Sequence, residues 1–222
     1  MSIIYIKCYK VRMFTCFKKM TKGVFFDRDG IINQVIYDMV LGRISTPLNP
    51  NQIVLVPKIV DLLRLTKQKG YLNIIVSNQP MIGLKRISED GFATITDRVV
   101  NLLKKENAII DDQFYCFHHP YALIPKYKKK CSCRKPGIDL ITQAQKKHDI
   151  DLKKSWFIGD GTFDIIAGHK SGCKTILVTN VEESAYLHEF EKRLGKVKPD
   201  FIVKNLGEIK HFFDPRGSYH ID

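Results

Sequence analysis

Two aspartates one residue apart, Asp27 and Asp29, close an apolar run and are followed at once by a glycine: Gly23-Val24-Phe25-Phe26-Asp27-Arg28-Asp29-Gly30-Ile31-Ile32-Asn33. Such a run reads as a buried strand that delivers two acids to a crevice at its C-terminal end. Strand alternation would point Asp27 and Asp29 the same way. Two carboxylates that close repel unless a cation sits between them. Hard oxygen ligands suit Mg²⁺, held by one or two carboxylates plus substrate phosphate. An Asp-rich turn after an edge strand is the alternative on this segment alone.

Other polar groups recur at the ends of apolar runs. Ser77-Asn78-Gln79 follows Leu72–Val76, and Gly159-Asp160-Gly161 follows Ser155–Ile158. Arg134-Lys135-Pro136 precedes a helical pattern. Together they could assemble a phosphate pocket with Mg²⁺: Asp160 completing the metal site, the Ser77 hydroxyl holding phosphoryl oxygens, and Lys135 neutralising their charge. Singly, each has a plainer role as a turn cap, a loop acid or a solvated lysine.

A separate constellation pairs Cys116-Phe117-His118-His119-Pro120 with Cys131-Ser132-Cys133. Three cysteines and a histidine in paired clusters can close a tetrahedral zinc site. The segment between them is too polar and lysine-rich to fold by burial alone, so a metal would pin it. Reduced cysteines beside a turn histidine are one alternative. A disulfide is another, disfavoured in the cytosol.

These groups need elements to position them. Helical patterns run from Lys58 to Lys69, Ser88 to Glu106, Ile138 to Lys147, Asp164 to Ser171 and about Asn205 to Phe213. Between them lie Leu72–Val76, Gln113–Cys116, Ser155–Ile158, Thr175–Val178 and Phe201–Val203, each a short strand. The alternation predicts an α/β fold, a doubly wound parallel sheet with helices on both faces. Ligands then bind at the carboxyl ends of the strands, near a switch in strand order. Cys173 and Trp156 read as packing residues, and the five histidines from His148 onward show no partner pattern.

With 222 residues, 44% of them hydrophobic, the chain can bury one sizeable core. No apolar run approaches the length of a membrane span. The formal charge of +13 favours anionic partners, phosphorylated metabolites or nucleic acid. It is dispersed, however: Lys7, Lys10, Arg12, Lys18 and Lys19 sit in an N-terminal stretch without acids, and Lys126, Lys128, Lys129 and Lys130 form another group. Residues 1–19 lack the features of a secretory signal. They read as a dispensable extension before a 20–222 domain, with Met20 a natural start.

The motif order resembles that of the haloacid dehalogenase phosphatase superfamily. Phe25-Phe26-Asp27-Arg28-Asp29-Gly30 looks like its first motif, Ser77 its second, Lys135 its third, and Gly159-Asp160-x-x-x-Asp164 its fourth. The likeness covers roughly Lys22 to Phe213. It implies Asp27 as the nucleophile that forms an aspartyl-phosphate, and Asp29 as the group that protonates the leaving oxygen and then activates water. Ser77 and Lys135 would hold the phosphoryl group. Asp27, the Asp29 backbone carbonyl and Asp160 would bind Mg²⁺, with Asp164 as a supporting acid. A covalent carboxylate intermediate divides one hard displacement into two easier ones.

The Cys-x-His and Cys-x-Cys-Arg-Lys-Pro arrangement is similar to that of the D-glycero-D-manno-heptose-1,7-bisphosphate 7-phosphatases and histidinol-phosphate phosphatases. That likeness implies a structural Zn²⁺ on Cys116, His118, Cys131 and Cys133, in a loop at 116–133 that covers the site in place of a large cap domain. It also implies substrate contacts by Arg134, Asn78, Gln79 and Asn33. The chain departs from the pattern at Pro80, which removes one backbone N–H, and at Gly161, where bacterial relatives often carry a lysine.

The expected activity, as the resemblance implies it, is that of a Mg²⁺-dependent phosphomonoesterase on a small phosphorylated sugar, the 7-phosphate of D-glycero-D-manno-heptose 1,7-bisphosphate, as a cytoplasmic monomer without membrane or nucleic-acid partners. Histidinol phosphate, a polynucleotide 3′-phosphate and a non-catalytic nucleic-acid module are the alternatives.

Overall fold

The computed structural model describes residues 20–39, 42–179 and 192–213. The N-terminal extension, His188 and His220 lie outside the described residues. Six parallel strands form the main sheet: β1 (Lys22–Phe26), β4 (Tyr71–Asn78), β5 (Asp112–Cys116), β6 (Trp156–Gly159), β7 (Lys174–Val178) and β8 (Phe201–Val203). Their spatial order is β5-β4-β1-β6-β7-β8. The chain winds outward from β1 through β4 to β5, then returns to place β6 on the other side of β1. The order therefore switches between β1 and β6, where connections leave in opposite directions and open a crevice.

Strand alternation divides the core. Val24, Phe26, Ile75 and Ile158 pack with Ile59, Leu62 and Leu63 of α1 (Ile59–Gln68) and with Ile95, Val99 and Leu103 of α2 (Glu89–Lys105). Phe25, Ile74, Val76 and Phe157 face the other way, against Leu140, Ile141 and Ala144 of α3 (Asp139–His148) and Ala167 of α4 (Thr162–Ser171). The central strands are buried on both faces, which is why they read as unbroken apolar runs rather than alternating ones. Trp156 packs against Phe201 and Phe213, the latter in the short α5 (Lys210–Phe213), and Cys173 is buried, both as expected of packing residues.

Four local features differ from the sequence reading. The helical pattern over about Asn205 to Phe213 is a 3₁₀ turn (Leu206–Ile209) followed by α5. β4 runs on through Ser77 and Asn78, because Ser77 and Asn78 continue the ladder opposite Tyr115 and Cys116 of β5. α4 starts at Thr162, with Asp164 inside its first turn accepting from the Gly161 N–H at 2.9 Å. A two-stranded hairpin, β2 (Ile36–Asp38) and β3 (Arg43–Ser45), follows the first motif where no element was foreseen. Its strands have only three residues each, too few for a period to declare itself. No cap domain occurs among the described residues, and no helix there is long and apolar enough to cross a membrane.

Candidate active site

β1 ends at Phe26, so Asp27 is the first residue beyond the strand, placed at the β1/β6 crevice. Its Oδ1 accepts from the Arg28 N–H at 2.7 Å and from Lys135 Nζ at 2.9 Å. Its Oδ2 carries no hydrogen bond among the described residues. Lys135 is 2% exposed and spends its three ammonium protons on Asp27, Asp164 Oδ1 at 2.6 Å and the Val76 carbonyl at 2.8 Å. Burial alone would lower its pKa; the carboxylates of Asp164 and Asp27 override this and hold it above the ordinary lysine value.

Asp160 follows β6 and faces the same point. Carboxylate oxygens of Asp27, Asp160 and Asp164 lie within 4.8 Å of one another. Gly30 makes this approach possible: with φ +91°, it comes so close to Asp160 that a Cβ would overlap the carboxylate. Lys135 pairs with two of the three acids, Asp27 and Asp164. Burial, then Asp27 and Asp164, push the Asp160 carboxyl well above the usual carboxylate range. Burial raises Asp164 to about 6 against the pull of Lys135. An oxygen-lined cluster with this excess of negative charge fits a hard divalent cation.

Asp29 is placed differently from the sequence expectation. Strand alternation does not extend past Phe26, and the Asp29 carboxylate is not part of the acid cluster. Arg28 grips it with Nε on Oδ1 and Nη2 on Oδ2, both at 3.1 Å. Asn33 Nδ2 donates to Oδ1 at 2.9 Å, while Thr46 Oγ1 and Gln79 Nε2 donate to Oδ2 at 2.6 and 2.7 Å. Burial opposes ionisation here, but the Arg28 charge and these donors hold the carboxyl below its usual range. Its compensating cation is thus Arg28, not an ion shared with Asp27.

The Cys/His cluster lies at the end of β5. Cys116 Sγ is 3.1 Å from Cys133 Sγ and 3.6 Å from Cys131 Sγ; His118 Nδ1 is 3.1 Å from Cys133 Sγ. All four donors lie within 4.8 Å of one another. A disulfide would bring two sulfurs to about 2.0 Å, and none of these cysteines is bonded to another. Zinc–sulfur bonds of about 2.3 Å set tetrahedral sulfurs roughly 3.8 Å apart, so the donor set fits zinc with slight expansion. Burial and the neighbouring thiols raise Cys133 above the ordinary thiol value. His119 sits outside the cluster, its Nδ1 accepting from the Tyr121 N–H at 3.2 Å. The loop packs on the turn after β4, where Leu123 N–H donates to the Gly83 carbonyl at 2.8 Å; a Cβ on Gly83 would press on Tyr127, Phe117 and Ala122.

The family model described as HAD-hydrolase-like matches residues 132–209. D-glycero-alpha-D-manno-heptose-1,7-bisphosphate 7-phosphatase of Photorhabdus laumondii is 39% identical over 152 residues, covering 68% of this chain and 78% of the relative. The chain belongs to the haloacid dehalogenase-like phosphatases. It is thus a phosphoric monoester hydrolase. D-glycero-beta-D-manno-heptose-1,7-bisphosphate 7-phosphatase of Haemophilus influenzae is 33% identical over 149 residues, covering 67% of this chain and 76% of its own. The crystal structure of D,D-heptose 1,7-bisphosphate phosphatase from B. bronchiseptica, complexed with magnesium and phosphate, shares the fold with a TM-score of 0.70 at 21% identity, covering 86% of this chain and 97% of that one.

In this haloacid dehalogenase-like phosphatase the structure brings Asp27, Lys135, Asp160 and Asp164 together, with Ser77 on the adjoining strand end. It gives other predicted residues internal partners. Asn78 clamps the Lys135 backbone, donating to its carbonyl at 3.1 Å and accepting from its N–H at 2.9 Å. Gln79 bridges Asp29 and Ser77 Oγ and accepts from Arg28 at 2.8 Å. Asn33 serves Asp29. The amides of Asn78, Gln79 and Asn33 are therefore built into the site wall, because each meets a buried polar group that needs a partner. Arg134 is half-buried and donates to the His118 carbonyl at 3.3 Å, which ties it to the Cys/His loop. Sequence reasoning missed Arg28 and Thr46 as parts of the site. An arginine between two acids was a usable signal; Thr46 offered none.

Proposed function

We propose that the chain is a Mg²⁺-dependent phosphomonoesterase acting on a phosphorylated sugar, with the 7-phosphate of D-glycero-D-manno-heptose 1,7-bisphosphate as its target. The observation that carries the reading is the convergence of Asp27 with Lys135, Asp160 and Asp164 at the switch in strand order, with one Asp27 oxygen unengaged. The names of the relatives support the substrate.

Asp27, Asp160 and the Asp29 backbone carbonyl would hold Mg²⁺, with Asp164 as a supporting acid, and the ion would neutralise phosphoryl charge. Asp27 Oδ2 attacks phosphorus and takes the phosphoryl group as an aspartyl-phosphate, while the sugar oxygen departs with a proton from Asp29. The arriving phosphate dianion favours a proton on Asp29, against the donors that hold it ionised in the free enzyme. Asp29 then takes a proton from the water that releases phosphate. Ser77 steadies the phosphoryl oxygens, Lys135 offsets their charge from its place on Asp27 and Asp164, and Arg134 meets the sugar bisphosphate from the loop side. Cys116, His118, Cys131 and Cys133 would hold a structural Zn²⁺, which suits a reducing, cytoplasmic setting. Residues 1–19 are a dispensable extension to this domain, and the enzyme acts as a monomer.

The test is phosphate release with Mg²⁺ from heptose 1,7-bisphosphate, hexose bisphosphates and histidinol phosphate. The heptose bisphosphate should give the highest kcat/KM. A preference for histidinol phosphate, or turnover surviving Asp27→Asn, would overturn the assignment.

A further inference from the structure

Asp29 receives five donated hydrogen bonds on two oxygens. Four come from N–H groups of Arg28, Asn33 and Gln79, which can only donate. The fifth comes from the Thr46 hydroxyl, which also accepts from Arg28 Nη2 at 3.1 Å. Thr46 is thus the one partner in this set whose proton can rotate away without stranding a buried N–H.

Its place in the chain adds a second observation. Thr46 directly follows β3, so the hairpin carries it. The hairpin is clasped to the turn after β4 by Asp38 and Arg86 at 3.0 Å. That same strand end supplies Gln79, which touches Asp29 Oδ2 from its other side and reaches Ser77. Two rim segments, tied to each other, therefore meet on one carboxylate oxygen.

We propose that Thr46 is a positioning residue for Asp29, and that through it the docking of the β2–β3 hairpin sets how well Asp29 reaches the leaving oxygen. This rests on the reading of Asp29 as the group that protonates that oxygen. A sugar alkoxide needs such a proton to leave; p-nitrophenolate leaves without one. The two probes therefore separate placement of Asp29 from general damage to the site.

The experiment compares kcat/KM of the wild type, Thr46→Val and Thr46→Ser on heptose 1,7-bisphosphate and on p-nitrophenyl phosphate. Thr46→Val keeps the shape and removes the hydroxyl. It should lose about ten- to a hundredfold on the sugar phosphate, a fraction of what general acid catalysis contributes, and less than about threefold on the aryl phosphate. Thr46→Ser should stay within about threefold of wild type on both. Asp38→Asn, which weakens the clasp, should show the same selectivity in smaller degree. Equal losses on both probes, no loss on the sugar phosphate, or no rescue by serine would overturn the proposal while leaving the phosphatase reading intact. A wild type that releases phosphate from neither probe would bring down both.

Discussion

Lys135 meets three oxygens with three protons: two hold Asp27 and Asp164, and the third anchors the ammonium on the Val76 carbonyl. Lys135→Met leaves those carboxylates without their ammonium. The metal-free variant is expected to lose about 3–5 kcal/mol in urea denaturation, with phosphate release falling to background. Asp27→Asn keeps the side-chain shape and removes the proposed nucleophile. Turnover should fall by at least about a thousandfold, with a melting temperature within a few degrees of wild type. The raised carboxyls also give a pH signature. Asp164 at about 6 binds its proton more tightly folded than unfolded. Its contribution to metal-free stability therefore declines as pH rises from the ordinary carboxylate range through about 6. A divalent cation must displace that proton and the one on Asp160. Mg²⁺ should thus raise the melting temperature more at about pH 7.5 than at about pH 5; equal increments would count against these acids as ligands. Asp27, Ser77 and Asp160 were legible because each follows an apolar run, and Lys135 because its Arg-Lys-Pro step precedes a helical pattern. The placement of Asp29 was not, since the two-residue period stops with the strand. Nor could sequence separate amides facing a ligand from amides facing their own chain, as Asn78 and Gln79 do.

At the scale of elements, the Cys/His loop and the active-site lysine are one piece of chain: Cys133 and Lys135 are two residues apart, and Asn78 of β4 pins the lysine backbone from both sides. Zinc should accompany the purified protein at about one equivalent by elemental analysis. Its removal by a chelator should speed amide exchange across residues 117–133 and on into Lys135, with turnover lost in parallel. Slow exchange persisting there without zinc would separate the loop from the site. The main strands and helices could be read because buried parallel strands and amphipathic helices carry strong patterns, and the Ser88 cap was visible where its side chain accepts from the Gly91 N–H. The hairpin, with strands of three residues each, could not, since it is too short for a period and its contacts are with Asp29 and Arg86. His148 shows the same limit: its Nε2 meets Asp112 at 2.7 Å, a contact between residues 36 apart in the chain.

For the molecule as a whole, the charge of +13 is not the source of the chemistry. Deleting residues 1–19 removes five basic residues and no acid, taking the formal charge to +8. Activity on a small sugar phosphate should survive that deletion within about threefold, as measured by phosphate release; a larger loss would tie the extension to the site. The centre depends instead on the order in which strands lie side by side. Asp27, the proposed nucleophile, directly follows β1, while Asp160 and Asp164 arrive only after β6 has slotted in beside β1. A polypeptide halted before Trp156 would already contain Asp27, Ser77 and Lys135 and yet be chemically silent. Competence is conferred late in synthesis, by a strand that completes the middle of the sheet rather than its margin.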